Sequence, residues 1–334
     1  MCKANGMVPH PTYLCTRWQG ASLNTPQAFH ESTIPEKLLK VPCPVIAIRD
    51  NQNPGGRMML PGYNTNGFAH HKIEDALRII AELGYRSVAF TLDFNTVDPF
   101  ATDATKRAKE LGKIARDLNL NLVVETGARF ILDPWRKHQP TLLSKQAVDR
   151  KTRMDFLLRC AELGGEMGSN ILSFWSGKPD FEATDDVYWQ ILVEQCRLVT
   201  RHVENSGVKI AFEPEPGMFI DTMGKFEQLH KAVNRPGFGL TLDIGHLECM
   251  NEMPLLPHLQ KWCSVLWNVH LEDMKKNVHD HLLPGEGEIA FKDVFQGLAG
   301  IGYNGGVHWE LSRHSHDAVE TARKCRRFMQ THGF

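Results

Sequence analysis

A field of one sign is missing from this sequence. Thirty-eight lysines and arginines stand against 39 aspartates and glutamates, a net charge of -1, so no global potential draws in nucleic acid or an anionic membrane surface. Also absent is any run of 18 apolar residues, the length a bilayer-crossing helix needs. The opening MCKANGMVPHPTYLCTRWQG has neither the basic start nor the continuous apolar stretch of a secretion signal. The eight cysteines, at 2, 15, 43, 160, 196, 249, 263 and 325, form no C-x-x-C pair and keep no regular spacing, and in a chain this long they read as buried thiols of a reducing compartment. The expectation is a soluble, cytoplasmic protein with no membrane or nucleic-acid partner. No Ser/Gly linker or break in composition divides the chain.

What is present is one rhythm, repeated over 334 residues of which 42% are hydrophobic, enough for a large core. A short apolar run is followed by a polar loop and then by a longer segment of helical period. Eight runs carry the pattern: CPVIAIRD (43–50), SVAFTLD (87–93), NLVVET (121–126), NILSFWS (170–176), VKIAFEPE (208–215), FGLTLD (238–243), VLWNVHLED (265–273) and GVHWELS (306–312). Helical segments between them, such as HHKIEDALRIIAELG and HDAVETARKCRRFMQTHG, end on glycine as a helix C-terminus should. Eight strands each followed by a helix predict an α/β fold, a closed (β/α)8 barrel over residues 43–334, which commonly takes about 250 residues. The surplus falls in an N-terminal extension (1–42), in the Gly- and Pro-rich NQNPGGRMMLPGYNTNG after the first run, and in GARFILDPWRKHQPTLLSK (127–145). The last is expected to fold over the C-terminal mouth of the barrel, where such loops govern entry.

Strand period decides where side chains point. Ile210 and Phe212 share one face and leave Glu213 with Ala211 on the other; Leu240 and Leu242 oppose Thr241 and Asp243; Val307, Trp309 and Leu311 oppose His308, Glu310 and Ser312; His270 aligns with Asn268. The bulky set faces the helices, so the polar set faces the barrel axis. Glu213, Asp243, His270 and Glu310 thus arrive at successive strand ends, separated by 30, 27 and 40 residues, about one βα unit each. Each alone is an ordinary polar loop residue. Three carboxylates and an imidazole around one axis repel one another without a cation, which predicts a divalent metal site.

The strings IAFEPEPG, LTLDIGHLE, NVHLEDM with VHDHLLPGEGEIAF, and HWELS resemble the xylose isomerase-like barrel superfamily, from about residue 70 onward. That superfamily includes sugar phosphate isomerases and epimerases such as ketose 3-epimerases, inosose and dehydroshikimate dehydratases, and apurinic endonucleases. The resemblance implies one divalent ion held by Glu213, Asp243, His270 and Glu310, with His246 three residues after the aspartate. It places an H-x-x-x-G-x-G-x-I-x-F loop on His281, Gly285, Gly287, Ile289 and Phe291.

Carboxylate-rich ligands suit Mn2+ first, with Mg2+, Co2+ and Zn2+ as alternatives. The expected chemistry is proton transfer next to the carbonyl of a sugar through an enediolate, with Glu213 and Glu310 as the two catalytic acid/base groups. His246, His281, Glu215, Trp175 and Glu125 are the candidates for substrate contact, and Trp135, Lys137, His138 and Arg313 for the mouth; a supporting or packing role stays open for each. A lyase or dehydratase acting on a keto sugar or cyclitol would use the same machinery as far as the enolate. The trinuclear endonuclease pattern also needs histidines on the second and third strand loops, where this chain has Asp93 and Glu125. A small sugar or sugar derivative is the expected partner, and a homo-oligomer is compatible with the sequence.

Overall fold

A computed structural model describes residues 59–334. Eight parallel strands close into a barrel: β1 (Leu60–Asn64), β2 (Ser87–Thr91), β3 (Asn121–Glu125), β4 (Ile171–Phe174), β5 (Lys209–Phe212), β6 (Phe238–Asp243), β7 (Leu266–Leu271) and β10 (Gly306–Trp309). Around the ring they run β1-β10-β7-β6-β5-β4-β3-β2. A two-stranded antiparallel hairpin, β8 (Asp273–Lys275) and β9 (Val278–Leu282), is inserted after β7. The helices are α1 (Ile73–Glu82), α2 (Ala104–Asp117), α3 (Ala147–Met167), α4 (Asp185–Glu204), α5 (Met223–Val233), α6 (Ile244–Cys249), α7 (Leu256–Trp262), α8 (Phe291–Gly300) and α9 (Ala318–Thr331). None of them is long and apolar enough to cross a membrane.

Seven of the eight apolar runs coincide with barrel strands. The eighth, CPVIAIRD at 43–50, lies outside the described residues, and the first barrel strand is instead LPGYN, inside the segment read as a loop. Proline and glycine made that segment look like a turn. Leu60 N–H donates to the Gly305 carbonyl at 2.9 Å, and Arg86 N–H to the Pro61 carbonyl at 2.8 Å, so the ladder is complete on both sides. A side chain at Gly62 would not fit, because its Cβ would lie 2.3 Å from Cδ2 of His308.

The helices follow from their apolar spacing. In α1, Ile73, Ala76, Leu77 and Ile80 form one buried stripe, with Glu74 and Asp75 in the first turn, where the helix dipole favours acids. Helix α3 stops at Gly168, whose φ of +93° closes the last turn in the left-handed region. Phe212, Phe226, Phe238 and Trp262 pack between sheet and helices, as the strand parity required.

The polar set does face the axis. Ser173 on β4 bonds Thr241 on β6 at 3.0 Å, and Asn268 on β7 bonds Glu125 on β3 at 2.9 Å. Strands that are not neighbours in the ring can meet only through the interior. His308 joins this column, with Nε2 2.8 Å from Ser87 Oγ and Nδ1 2.9 Å from Asn268 Oδ1.

Candidate functional site

At the C-terminal end of the barrel the polar column opens into a cavity of about 370 Å³. Glu213, His270 and Glu310 line it and Asp243 lies behind them, and the four offer potential ligand atoms that all fall within 4.8 Å of one another. Glu213 and Glu310 follow β5 and β10 by one residue, and their N–H groups extend the ladder to Phe174 O at 3.0 Å and Leu271 O at 2.8 Å. The four side chains arrive from consecutive ring positions, β5, β6, β7 and β10.

His270 is the hub. Its Nδ1 lies 3.0 Å from Glu213 Oε1 and from Glu310 Oε2, and 3.9 Å from Asp243 Oδ2. Its Nε2 lies 3.0 Å from Glu125 Oε1, which also accepts from Asn268 Nδ2 at 2.9 Å. Were Nδ1 to hold a metal ion, the ring would carry its proton on Nε2 and donate it to Glu125, which leaves Nδ1 facing Glu213, Asp243 and Glu310. A carboxylate behind a histidine in this manner fixes ring orientation and raises ligand basicity. Glu125, a candidate for substrate contact from sequence, borders the cavity, and its Oε1 is engaged by His270 and Asn268.

The electrostatics ask for a cation. Burial pushes the Glu213 carboxyl up to about 8, against the pull of His270. Burial also works against ionisation of Glu310, yet the His270 and His281 imidazoles hold it well below the usual range. Burial opposes a charge on His270 too, but Glu213, Glu125 and Glu310 together keep it well above the ordinary imidazole value. Asp243 accepts from His246 N–H at 2.8 Å through Oδ1, capping α6, while Oδ2 is buried without a donor. Three convergent carboxylates, one imidazole nitrogen and an unpartnered oxygen match the donor set of a divalent ion.

A second group adjoins it. His246, His279 and His281 present ligand atoms within 4.8 Å, with ring centroids 4.9 to 6.1 Å apart. His246 Nδ1 donates to Pro214 O at 3.1 Å and His281 Nδ1 to Glu310 O at 2.8 Å, so both Nε2 lone pairs are free. Burial, chiefly, drives His246 down to about 4. Glu215 lies across from them, 3.8 Å from both His246 Nε2 and His279 Nε2. His281 and Glu215 line the cavity; His246 sits just behind it, and hairpin β8–β9 brings the second and third imidazoles in.

The loop at 127–145 reaches the C-terminal mouth: Gly127, Arg129, Lys137 and His138 line the cavity beside Trp175. Trp135 does not; it is 90% exposed. Arg313 lines the rim and pairs with Asp280. Asp93, at the end of the β2 region, caps a turn with Phe94 N–H at 2.8 Å and stays outside the cavity.

Two neighbours escaped the sequence reading. Asn66 Nδ2 donates to Glu310 Oε1 at 2.8 Å, from the turn after the unrecognised β1. Glu272 is fully buried against Asp243 with neither oxygen offered a donor, and burial, then the Asp243 charge, raises it well above the carboxylate range. It shares strand parity with His270, the one signal that could have found it.

Residues 77–332 match the xylose isomerase-like TIM barrel family. Inosose dehydratase 2 of Bacillus cereus is 26% identical over 178 residues, 47% of this chain and 57% of its own length. The chain thus spans a little over half the length of the curated relatives it matches. In fold it is similar to D-allulose 3-epimerase of Methylomonas sp., with a TM-score of 0.66 and 17% identity over 83% of this chain and 98% of that one. D-psicose 3-epimerase of Clostridium cellulolyticum, solved with D-tagatose, gives 0.66 and 18% over 82% and 98%.

Proposed function

The chain belongs to the xylose isomerase-like TIM barrel family, and on that premise we propose that it is a divalent-metal-dependent isomerase or epimerase of a sugar or sugar derivative. The observation that carries this reading is the convergence of Glu213, Asp243, His270 and Glu310 at one end of the barrel axis. A divalent ion there, Mn2+ in first place, supplies Lewis acidity to a carbonyl and a neighbouring hydroxyl. Glu213 and Glu310 flank the site three ring steps apart and reach a bound sugar from different sides. One removes the proton beside the carbonyl, the substrate passes through an enediolate, and the other returns the proton. Asn66 fixes the Glu310 rotamer, and Trp175 offers the sugar ring an apolar face.

The test is solvent exchange. In D2O with D-fructose or D-tagatose and Mn2+, wild type should place deuterium on the carbon beside the carbonyl. Glu213→Gln and Glu310→Gln should each lose turnover by about 100-fold or more, with metal content measured in the same samples because both residues are assigned as ligands. Turnover without solvent deuterium, and with a substrate deuterium carried to the neighbouring carbon, would replace the relay by a hydride shift.

A second reading, expulsion of a β-hydroxyl as in a dehydratase, is supported by the curated relatives named inosose dehydratase and by His279 and His281 beside the site, where an imidazole can hand a proton to a leaving group. Product analysis on inosose separates it from epimerisation.

A further inference from the structure

The cavity is acidic at its floor and basic at one lip. Arg129 and Lys137 both line it, from the loop that follows β3, and β3 stands opposite β7 in the ring. Among the described residues, neither has a carboxylate within ion-pair distance, whereas Arg136, between them on the same loop, is tied to Asp133 at 2.7 Å and Arg313 across the mouth to Asp280. Arg129 is half-buried, and a partly desolvated guanidinium without a partner is costly. One further cation deepens the positive side. Arg153 is fully buried behind Trp175, with its guanidinium 4.9 Å from the ring centroid, Nη1 unpartnered and, among the described residues, no carboxylate within ion-pair distance. His138, edge-on to Trp175 at 5.0 Å, is driven down to about 4 by burial and then by Lys137, Arg153 and Arg129, so it stays neutral among them.

We propose that the natural substrate is anionic: a keto sugar or keto cyclitol whose carbonyl end sits at the carboxylate quartet and whose carboxylate or phosphate lies between Arg129 and Lys137. This rests on the proposed reaction for the identity of the carbonyl end only. A neutral sugar leaves both cations unpaired. An anion placed across the barrel from the Asp243 and Glu310 carboxylates escapes their repulsion and gains two charge-assisted contacts, and the guanidinium offers it a fork of parallel donors. Trp175 forms the wall between the two ends.

Three ketonic probes of similar size test it: D-fructose, neutral; 5-keto-D-gluconate, with a carboxylate; and D-fructose 6-phosphate. Binding to the Mn2+-loaded protein is measured calorimetrically. At least one anion should bind about 10-fold or more tighter than D-fructose, and which one does identifies the group. The preference should shrink at about 0.5 M salt and fall to near parity in Arg129→Ala/Lys137→Ala, through loss of affinity for the anion. Arg136→Ala, one residue from Lys137, should keep the preference. Equal affinities, no binding by either anion, survival of the preference in the double variant, or equal loss in Arg136→Ala would each overturn the proposal. Solvent exchange is scored separately on each probe: anion preference without exchange rejects the proposed reaction and leaves this assignment standing, and exchange on D-fructose alone does the reverse.

Discussion

Glu125 separates what a residue type suggests from what its surroundings make of it. At the end of β3 with its side chain toward the axis, it looked like one more group for the substrate. In the structure it accepts from His270 Nε2 at 3.0 Å and from Asn268 at 2.9 Å. We propose that this Oε1 orients the His270 imidazole for a metal ion on Nδ1. Glu125→Ala is therefore expected to weaken Mn2+ affinity by about 10- to 100-fold, measured by calorimetry, while Glu125→Gln, which still offers an amide oxygen to Nε2–H, recovers part of it. At saturating Mn2+ the KM for a sugar should move far less than the metal affinity; a KM that rises while Mn2+ affinity stays put would return Glu125 to the substrate. The members of the quartet were legible at this scale because period-two alternation leaves a single polar residue at each strand end. Asn66 and Glu272 were not. Asn66 follows a strand that its own sequence disguises, and Glu272, although it keeps the parity of His270, lies one residue beyond the end of β7.

Among elements, β1 is the instructive failure. Strand propensity asks for β-branched and aromatic residues, and LPGYN supplies mainly the opposite. The strand exists because Gly62 makes room for the His308 imidazole inside the barrel, and the two chains pair with Gly62 opposite His308. That requirement is tertiary and leaves no mark in a local window. His308 is held at both ends, by Ser87 and Asn268, so it cannot swing aside. Gly62→Ala should cost about 1 to 3 kcal/mol as overpacking, read from denaturant unfolding. His308→Ala should cost less in the Gly62→Ala background than alone, because the clash has gone. Additive costs would mean that His308 is not what excludes a side chain at position 62. The other seven barrel strands and helices such as α1 were readable in existence and type because helical stripes and apolar runs such as FGLTLD follow from local period alone. The β8–β9 hairpin, which delivers His279 and His281, was read only as a charged loop, since VHDHL shows little apolar alternation.

For the molecule as a whole, closure of the ring turns four residues spread over about a hundred positions into one site, and the same geometry makes the site a clamp. An ion bound by Glu213, Asp243, His270 and Glu310 joins four consecutive ring positions, half of the barrel. It binds the folded chain and has no such site in the unfolded one. At about 100 times its dissociation constant it should add about 2.7 kcal/mol of stability, a rise in Tm of roughly 5 °C for a domain of this size, reversed by a chelator. Asp243→Asn is the informative variant. The asparagine keeps an oxygen for His246 N–H, the contact Asp243 Oδ1 makes at 2.8 Å to cap α6, and removes the charge and the unpartnered Oδ2. Metal-free, it should melt within a degree or two of wild type, and Mn2+ should shift it little. An Mn2+ shift as large as that of wild type would take Asp243 out of the ligand set. Were that shift instead lost in His246→Ala or His279→Ala and kept in Asp243→Asn, the ion would belong to the histidine group beside it.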